Sequence, residues 1–311
     1  MRILKSSSKK YEAVQFDVDR PEVTADQDGV AVAVIVRNEE AAIAEWLAFH
    51  RAAGVNHFIF YDDGCTDDTV PLARRVLGQD QLTVLPWNQR LRDAKAERAL
   101  HSQGLAFAHA VANFVRYRWI CFIDVDEFLY PTEADGIDQA LAEMDHAECI
   151  YVRWEMFGRQ GFATTPNHII PNFTLRYRDP ITSPVKGVFN FKCIVNPARV
   201  SRAYVHGFLG SDHDQIWSAA GKAFRAGQKR TAAFCEAPRL RLNHYYAKSD
   251  AQLAEKIGKG SIGESVFTKA FKSGAGRQDL LMRRVLEIER DTVEDRGIID
   301  YCARIGFDPA K

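Results

Sequence analysis

Residues 30–127 alternate between short apolar runs of strand length and longer stretches whose apolar positions repeat at helical spacing. The runs that predict strands are 30–36, 57–61, 82–85 and 119–123. The stretches that predict helices are one around 43–50 that ends near Gly54, one over 67–77 with Thr66 as its N-cap, and one over 100–114. This order predicts an α/β fold on a mostly parallel, doubly wound, Rossmann-like sheet.

The pattern changes after residue 150. Strands are predicted at 151–157 and 188–195 and helices at 250–258 and 278–304, without regular alternation. We expect an α+β C-terminal extension packed on the first sheet. The expected organisation is a polar lead-in (1–28), an α/β half (29–150) and a second half (151–311) within one composite domain.

Charge is distributed unevenly along the chain. The 41 basic and 41 acidic residues balance overall, but residues 1–150 sum to −10 and residues 151–311 to +10. A neutral total argues against a nucleic-acid partner. The seven-residue apolar run 30–36 is too short to span a bilayer, and the polar start is not a secretory signal. Six scattered cysteines without a CxxC pair argue against a zinc site, and a cytoplasmic location is expected.

An acidic tip, Asp124-Val125-Asp126-Glu127, follows the last predicted strand of the first half. Ligands bind at the carboxyl ends of strands in an open parallel sheet. Three adjacent carboxylates repel one another unless a hard cation such as Mg²⁺ binds them. In an extended chain Asp124 and Asp126 project to the same side, so both are candidate metal ligands. The alternative is a solvated acidic turn.

Two other strand ends carry polar residues that should line the same crevice. Arg37, Asn38 and Glu39 follow the first strand, and Asp62 and Asp63 follow the second. Their side chains suit hydrogen bonds to a nucleobase and to phosphate. The alternative for each segment is ordinary capping of the next helix. The absence of a P-loop and of GxGxxG argues against an ATPase or a dinucleotide enzyme.

An ordered set of motifs resembles enzymes of the glycosyltransferase family 2 and family 92 types over roughly residues 30–260. The set comprises VRNEE (36–40), EWL (45–47) with His50, GVNHFIFYDD (54–63), Gln103, WI (119–120), DVDEF (124–128), WEMFG (154–158), KCIVNP (192–197) and NHYYAKS (243–249). The resemblance implies a GT-A fold, a nucleotide-sugar donor, most often UDP-linked, and Mn²⁺ or Mg²⁺.

The resemblance also assigns roles to residues. It implies that Asp62 or Asp63 contacts the base and that Asp126, helped by Asp124, binds metal. Cys65 stands where serine is usual and Asp63 where asparagine is common, which leaves base preference open. The residues predicted to contact the donor are Arg37, Asn38, Glu39, Asp62, Asp63, Gln103, Asp124, Lys192 and Lys248.

The basic second half offers cations for a diphosphate leaving group. His244, in NHYYAKS, is the candidate for a further metal or phosphate ligand, with His206 as its rival and a packed histidine as the alternative for both. Lys248 is a candidate phosphate contact, and Lys192 is either a substrate contact or a surface lysine. The surplus of bases also suits peripheral contact with an anionic membrane.

The catalytic base is not decided by the sequence. Relatives of this kind mostly invert the anomer, which requires a carboxylate that deprotonates the acceptor hydroxyl. The candidates are Glu155 (beside Trp154), Asp179, Asp212 and Asp214, the last two flanking His213 in a glycine-rich loop.

Together these observations predict a metal-dependent, hexosyltransferase-like glycosyltransferase acting on a hydroxyl of a glycan or lipid-linked acceptor. One alternative is a nucleotidyltransferase on a sugar phosphate. It would need a basic, glycine-rich loop after the first strand, where Asn38-Glu39-Glu40 stands instead. The other alternative is a catalytically inactive glycan-binding relative, which the intact acidic tip disfavours.

Overall fold

The computed structural model describes residues 15–19, 23, 26–93, 98–205, 207–210, 214–236, 238–259 and 275–311. Among these residues, no helix combines the length and the apolar character that crossing a bilayer requires.

The first half alternates strands with helices, as predicted. Its elements are β1 (Phe16–Asp17), β2 (Asp28–Val36), α1 (Glu40–Ala52), β3 (His57–Asp62), α2 (Thr69–Leu77), β4 (Leu82–Pro86), β5 (Arg92–Asp93), β6 (Arg98–Ala99), α3 (Ser102–Asn113), β7 (Tyr117–Phe122), β8 (Glu127–Pro131) and α4 (Ile137–Ala142). Gly54 follows α1 with a left-handed φ of 96°, the conformation that lets the chain turn into β3.

The second half is richer in strands. Its elements are β9 (Cys149–Phe157), β10 (Leu175–Tyr177), β11 (Phe191–Val195), β12 (Arg202–Tyr204), β13 (Gly207–Leu209), β14 (Gln215–Ser218), β15 (Ala223–Arg225), α5 (Ala232–Cys235), β16 (Leu240–Tyr245), α6 (Asp250–Lys259), α7 (Ala275–Arg290), β17 (Thr292–Glu294) and α8 (Gly297–Arg304).

The strands β4, β3, β2 and β7 lie side by side in that order and are all parallel. Residues 30–36 of β2 are buried because helices cover both faces of the sheet. On one face α1 and α2 pack through residues such as Trp46, and on the other α3 packs through residues such as Phe107. The expected doubly wound, Rossmann-like architecture is confirmed.

The second half extends the same sheet. β11 pairs antiparallel with β7 and then with β9, and β14 and β15 follow at that edge. β16 lies between β8 and β9, antiparallel to the first and parallel to the second. The fold class is therefore α/β on a mostly parallel sheet with an α+β extension, as predicted.

Three local predictions are wrong. The helix predicted over 278–304 is two helices, because 292–294 leave α7 to pair with β10. α2 begins at Thr69, not after Thr66, because the Thr66 N–H donates to Asn38 while the Asp67 carboxylate accepts the Thr69 N–H. The strand predicted at 188–195 begins at Phe191.

Candidate active site

The acidic tip is a tight turn between β7 and β8. The Glu127 N–H donates to the Asp124 carbonyl, and Glu127 Oε2 accepts the Asp124 N–H at 2.8 Å. Asp124 points to Lys192, whose Nζ lies 2.6 Å from Oδ2, and to Gln103, whose Nε2 donates to Oδ1 at 3.2 Å. The turn replaces the extended geometry assumed for Asp124 and Asp126, so their carboxylates have different partners.

Asp126, Glu127 and His244 form a compact cluster. One ligand atom from each lies within 4.8 Å of the others. His244 Nε2 lies 3.6 Å from Asp126 Oδ2, and His244 Nδ1 lies 3.9 Å from Glu127 Oε1. β16 places His244 there, because its register sets that residue opposite Glu127 of β8.

The atoms of this cluster suit a divalent metal. Glu127 Oε1 and His244 Nδ1 are buried and have no hydrogen-bond partner within the described part of the chain. Buried polar atoms are normally paired, so two orphans that face each other indicate a ligand between them. Carboxylate oxygens with an imidazole nitrogen are ligands that Mn²⁺ accepts.

The charge states also fit metal binding. Burial lowers the pKa of His244, which keeps the imidazole neutral as a ligand must be. Burial opposes ionisation of Asp126, but Lys256 and His244 outweigh it and hold the pKa of Asp126 well below its usual range. Burial raises the pKa of Glu127 well above its usual range despite nearby Lys192. A cation at Oε1 would favour the ionised form of Glu127.

Glu127 was not among the predicted metal ligands. Strict strand alternation would point its side chain away from Asp126, and only the turn brings the two carboxylates together. The sequence did contain a signal for Glu127. Repulsion among the carboxylates of Asp124, Asp126 and Glu127 applies to all three, so each of them was a candidate ligand.

Glu45, Trp46 and His50 of α1 form hydrogen bonds to backbone groups, and two of these bonds hold the strand that follows the acidic tip. Trp46 Nε1 donates to the Glu127 carbonyl at 2.7 Å, and His50 Nε2 accepts the Leu129 N–H at 3.1 Å. The Glu45 carboxylate accepts the N–H groups of Ile169 and Ile170. The motif therefore positions backbone rather than substrate, a function that the spacing alone does not reveal.

His50 should make the protein sensitive to acid. Its Nδ1 donates to the Trp46 carbonyl, so Nε2 needs its lone pair for the Leu129 N–H, and the rings of Trp46, Phe49 and Phe128 surround it. Burial lowers the pKa of His50 to about 3. The unfolded residue titrates near pH 6.5, so its contribution to stability is complete above that pH and falls by ~1.4 kcal/mol per unit toward pH 3.

We expect the free energy of unfolding of the wild-type protein to fall more between pH 7 and pH 5 than that of His50→Asn. The difference should approach about 2 kcal/mol at pH 5. Urea denaturation at the two pH values measures it. Equal losses in the two proteins would show that His50 is not the acid-sensitive group.

The other predicted strand ends hold their own loops. Asp62 Oδ1 accepts the N–H groups of Gly64 and Cys65. Asn38, with a left-handed φ of 55°, accepts the Thr66 N–H. Both side chains thus stabilise the loop between β3 and α2 rather than cap a helix, and their contacts with the donor remain predictions.

Asp63 is buried beneath two arginines. Arg90 lies 2.6 Å and Arg37 3.7 Å from its carboxylate, and both guanidinium groups remain partly exposed. Glu39 is the N-cap residue of α1, and its N–H donates to Thr69 Oγ1. Its carboxylate lies near enough to affect the charges of Lys248 and Lys256. Arg37, Glu39 and Asp63 thus belong to the same edge of the sheet as the acidic cluster.

The base candidates that the structure describes lie elsewhere. Glu155 belongs to the sheet face opposite Trp154, and Arg153 and Arg176 hold its carboxylate. Asp214, with its side chain 61% exposed, pairs with Arg225 before β14. Exposed Asp179 accepts hydrogen bonds from its own loop. The candidates His206 and Asp212 lie outside the described residues.

Comparisons with known proteins agree with the predicted resemblance. The model of the family described as Glycosyltransferase family 92 matches residues 29–233. A family 92 protein of Ricinus communis is 26% identical over 144 residues, covering 44% of this chain and 24% of the relative. One of Oryza sativa subsp. japonica is 27% identical over 106 residues, covering 32% and 16%. The chain thus matches a quarter or less of each of these relatives.

Solved structures give weaker matches. S. aureus TarS 1-349 in complex with UDP is 17% identical, with a TM-score of 0.33, over 55% of this chain and 47% of that one. Glucosyl-3-phosphoglycerate synthase from Mycobacterium tuberculosis, in complex with Mn²⁺, UDP-glucose and phosphoglyceric acid, is 17% identical, with a TM-score of 0.31, over 55% and 57%.

Proposed function

The chain belongs to glycosyltransferase family 92, and from this premise we propose that it moves a sugar from a UDP-sugar to a hydroxyl of a glycan or lipid-linked acceptor, assisted by a divalent metal. The family assignment replaces the nucleotidyltransferase alternative. The observation that carries the proposal is the cluster of Asp126, Glu127 and His244, with two unpartnered buried ligand atoms at the sheet edge.

The metal would be held by Asp126, Glu127 and His244. When bound, it supplies positive charge to the donor diphosphate as the sugar–phosphate bond breaks. The mixture of carboxylate and imidazole ligands favours Mn²⁺ over Mg²⁺, which prefers oxygen alone. Trp46 and His50 of α1 hold the backbone on which two of these ligands are mounted.

Lys248 is the proposed contact for a donor phosphate. Its side chain is 3% exposed, and no carboxylate oxygen lies within 4 Å of its Nζ in the described part of the chain. Burial lowers its pKa, since taking an ammonium group out of water is costly without a partner anion. The diphosphate would supply that anion next to Asp126, whose charge already acts on Lys248.

Transfer with inversion needs a carboxylate that takes the acceptor proton as the hydroxyl attacks the anomeric carbon. Glu155 is the least suitable of the proposed bases, because Arg153 and Arg176 hold its carboxylate on the face of the sheet opposite Trp154. Asp212 and Asp214 remain the proposed bases. In this proposal residues 29–150 bind the nucleotide-sugar, and residues 151–311 bind the acceptor, close over the diphosphate and add His244 to the metal site.

Thermal shift and transfer assays test the proposal. We expect UDP-sugars with Mn²⁺ to raise the melting temperature of the wild-type protein, because ligands that bind only the native state stabilise it. Lys248→Met should bind UDP about tenfold more weakly, corresponding to one charge-assisted phosphate contact. Uridine, which has no phosphate, is the matched control and should bind both proteins equally.

Two results would contradict the proposal. If no nucleotide-sugar gave a metal-dependent shift or a transferred sugar, the proposed activity would be wrong. If Lys248→Met bound UDP as tightly as the wild-type protein does, the assignment of the phosphate contact alone would be wrong.

A further inference from the structure

Lys256, on α6, reaches the acidic cluster from outside the sheet. Its Nζ lies 3.0 Å from Asp126 Oδ2, donates to the Tyr246 carbonyl and lies 4.8 Å from the centre of the Tyr246 ring. The same Oδ2 lies 3.6 Å from His244 Nε2. The ammonium group therefore binds a carboxylate that the metal would also need.

An ammonium group and a divalent cation repel strongly when both are bound to one buried carboxylate, because screening by water is weak there. Asp126 provides one negative charge, and Lys256 already balances it. Binding of a metal at Asp126 thus favours withdrawal of the lysine from Oδ2. The Lys256 side chain is 31% exposed, so part of it already contacts solvent.

Lys192 differs from Lys256 in this respect. It is 2% exposed, and its Nζ lies 2.6 Å from Asp124 Oδ2 and 3.5 Å from Glu127 Oε2. These are not the atoms left without partners, since the orphaned oxygen of Glu127 is Oε1. Lys192 can therefore stay in place when a metal binds, and Lys256 is the lysine in direct competition for a ligand residue.

We infer that Lys256 and the divalent metal exchange at Asp126, and that the displaced ammonium group binds the diphosphate of the donor. The inference rests on the proposed function. Lys256 lies close enough to Lys248 for their charges to interact, and Glu39 acts on both. Once the metal neutralises Asp126, the two lysines form a pair of cations suited to a diphosphate. Lys256 thus links metal binding to donor binding.

Calorimetric titrations with Mn²⁺ alone and with UDP test this exchange. Lys256→Gln should bind Mn²⁺ about tenfold more tightly than the wild-type protein, because the competing cation is gone. At saturating Mn²⁺ it should bind UDP about tenfold more weakly, with unchanged binding of uridine. Lys256→Arg keeps the charge and should show neither gain nor loss. Lys222→Gln, on the exposed turn before β15, controls for general loss of charge.

Opposite changes in the two affinities of Lys256→Gln support the exchange. An Mn²⁺ affinity that is unchanged or lower, an equal gain in Lys222→Gln, or a UDP affinity that does not fall would overturn it. Sugar transfer by the wild-type protein distinguishes the two proposals. Transfer together with an unchanged Mn²⁺ affinity of Lys256→Gln refutes only the exchange, whereas absence of transfer and of Mn²⁺ binding refutes both.

Discussion

Asp126→Asn is expected to lower the rate of sugar transfer by on the order of 10²–10³-fold. The amide keeps the shape of the carboxylate but removes the negative charge that would balance a metal and that now balances Lys256. The Asp126 carbonyl, which accepts the Tyr245 N–H, is unaffected, so β16 should keep its place. Product formation at saturating UDP-sugar and Mn²⁺ measures the loss.

The matched control is Asp308→Asn, which removes the same charge from an exposed carboxylate near the C-terminus. It should transfer sugar at the wild-type rate. If Asp126→Asn also kept that rate, the acidic cluster would have no part in the reaction. Circular dichroism of the variant shows whether a loss of activity reflects chemistry or unfolding.

Lys192→Met is expected to lower the free energy of unfolding at pH 7 by about 3–5 kcal/mol, the cost of removing one partner from a buried ion pair. Lys192 is the cation between Asp124 and Glu127. Burial opposes its charge, yet those two carboxylates outweigh it and raise the pKa of Lys192. Methionine fills similar space but leaves two neighbouring acids without their counter-charge. Urea denaturation measures the difference.

Two further variants check the cause of that loss. Lys192→Met/Glu127→Gln should recover part of the stability, because the amide removes one of the two carboxylates that Lys192 balances. Lys222→Met, on an exposed turn, should stay within about 0.5 kcal/mol of the wild-type value. A loss below about 1 kcal/mol for Lys192→Met would mean that solvent or protonation of Glu127 compensates the missing cation.

The parallel strands of the first half were predictable from the sequence. Helices cover each strand on both faces, so its residues form a continuous apolar run. β2 is the clearest example, since residues 30–36 are all buried. The position of the acidic tip follows from the same reasoning, as it comes directly after such a run. The helices α1 and α3 were found from residues that pack on the two faces of that sheet.

The remainder depends on contacts between distant segments, which periodicity does not report. The local sequence of β17 predicts a helix. It forms a strand because it pairs with β10, which lies more than a hundred residues earlier in the chain. Glu155 was expected to act beside Trp154, but alternation along β9 sends the two side chains to opposite faces. His244 came from the family resemblance, and only the register of β16 shows that it lies opposite Glu127 of the acidic tip.

The place of β16 also fixes when the site can form during synthesis. This strand fills the gap between β8 and β9, and its paired residues in those strands precede it by 109–117 and by 88 positions. A nascent chain that stops at residue 233, where the family match ends, would present two unpaired edges to one another and to other molecules. Unpaired edges promote aggregation, so β16 would protect the edges of β8 and β9 as well as bring His244 to the acidic cluster.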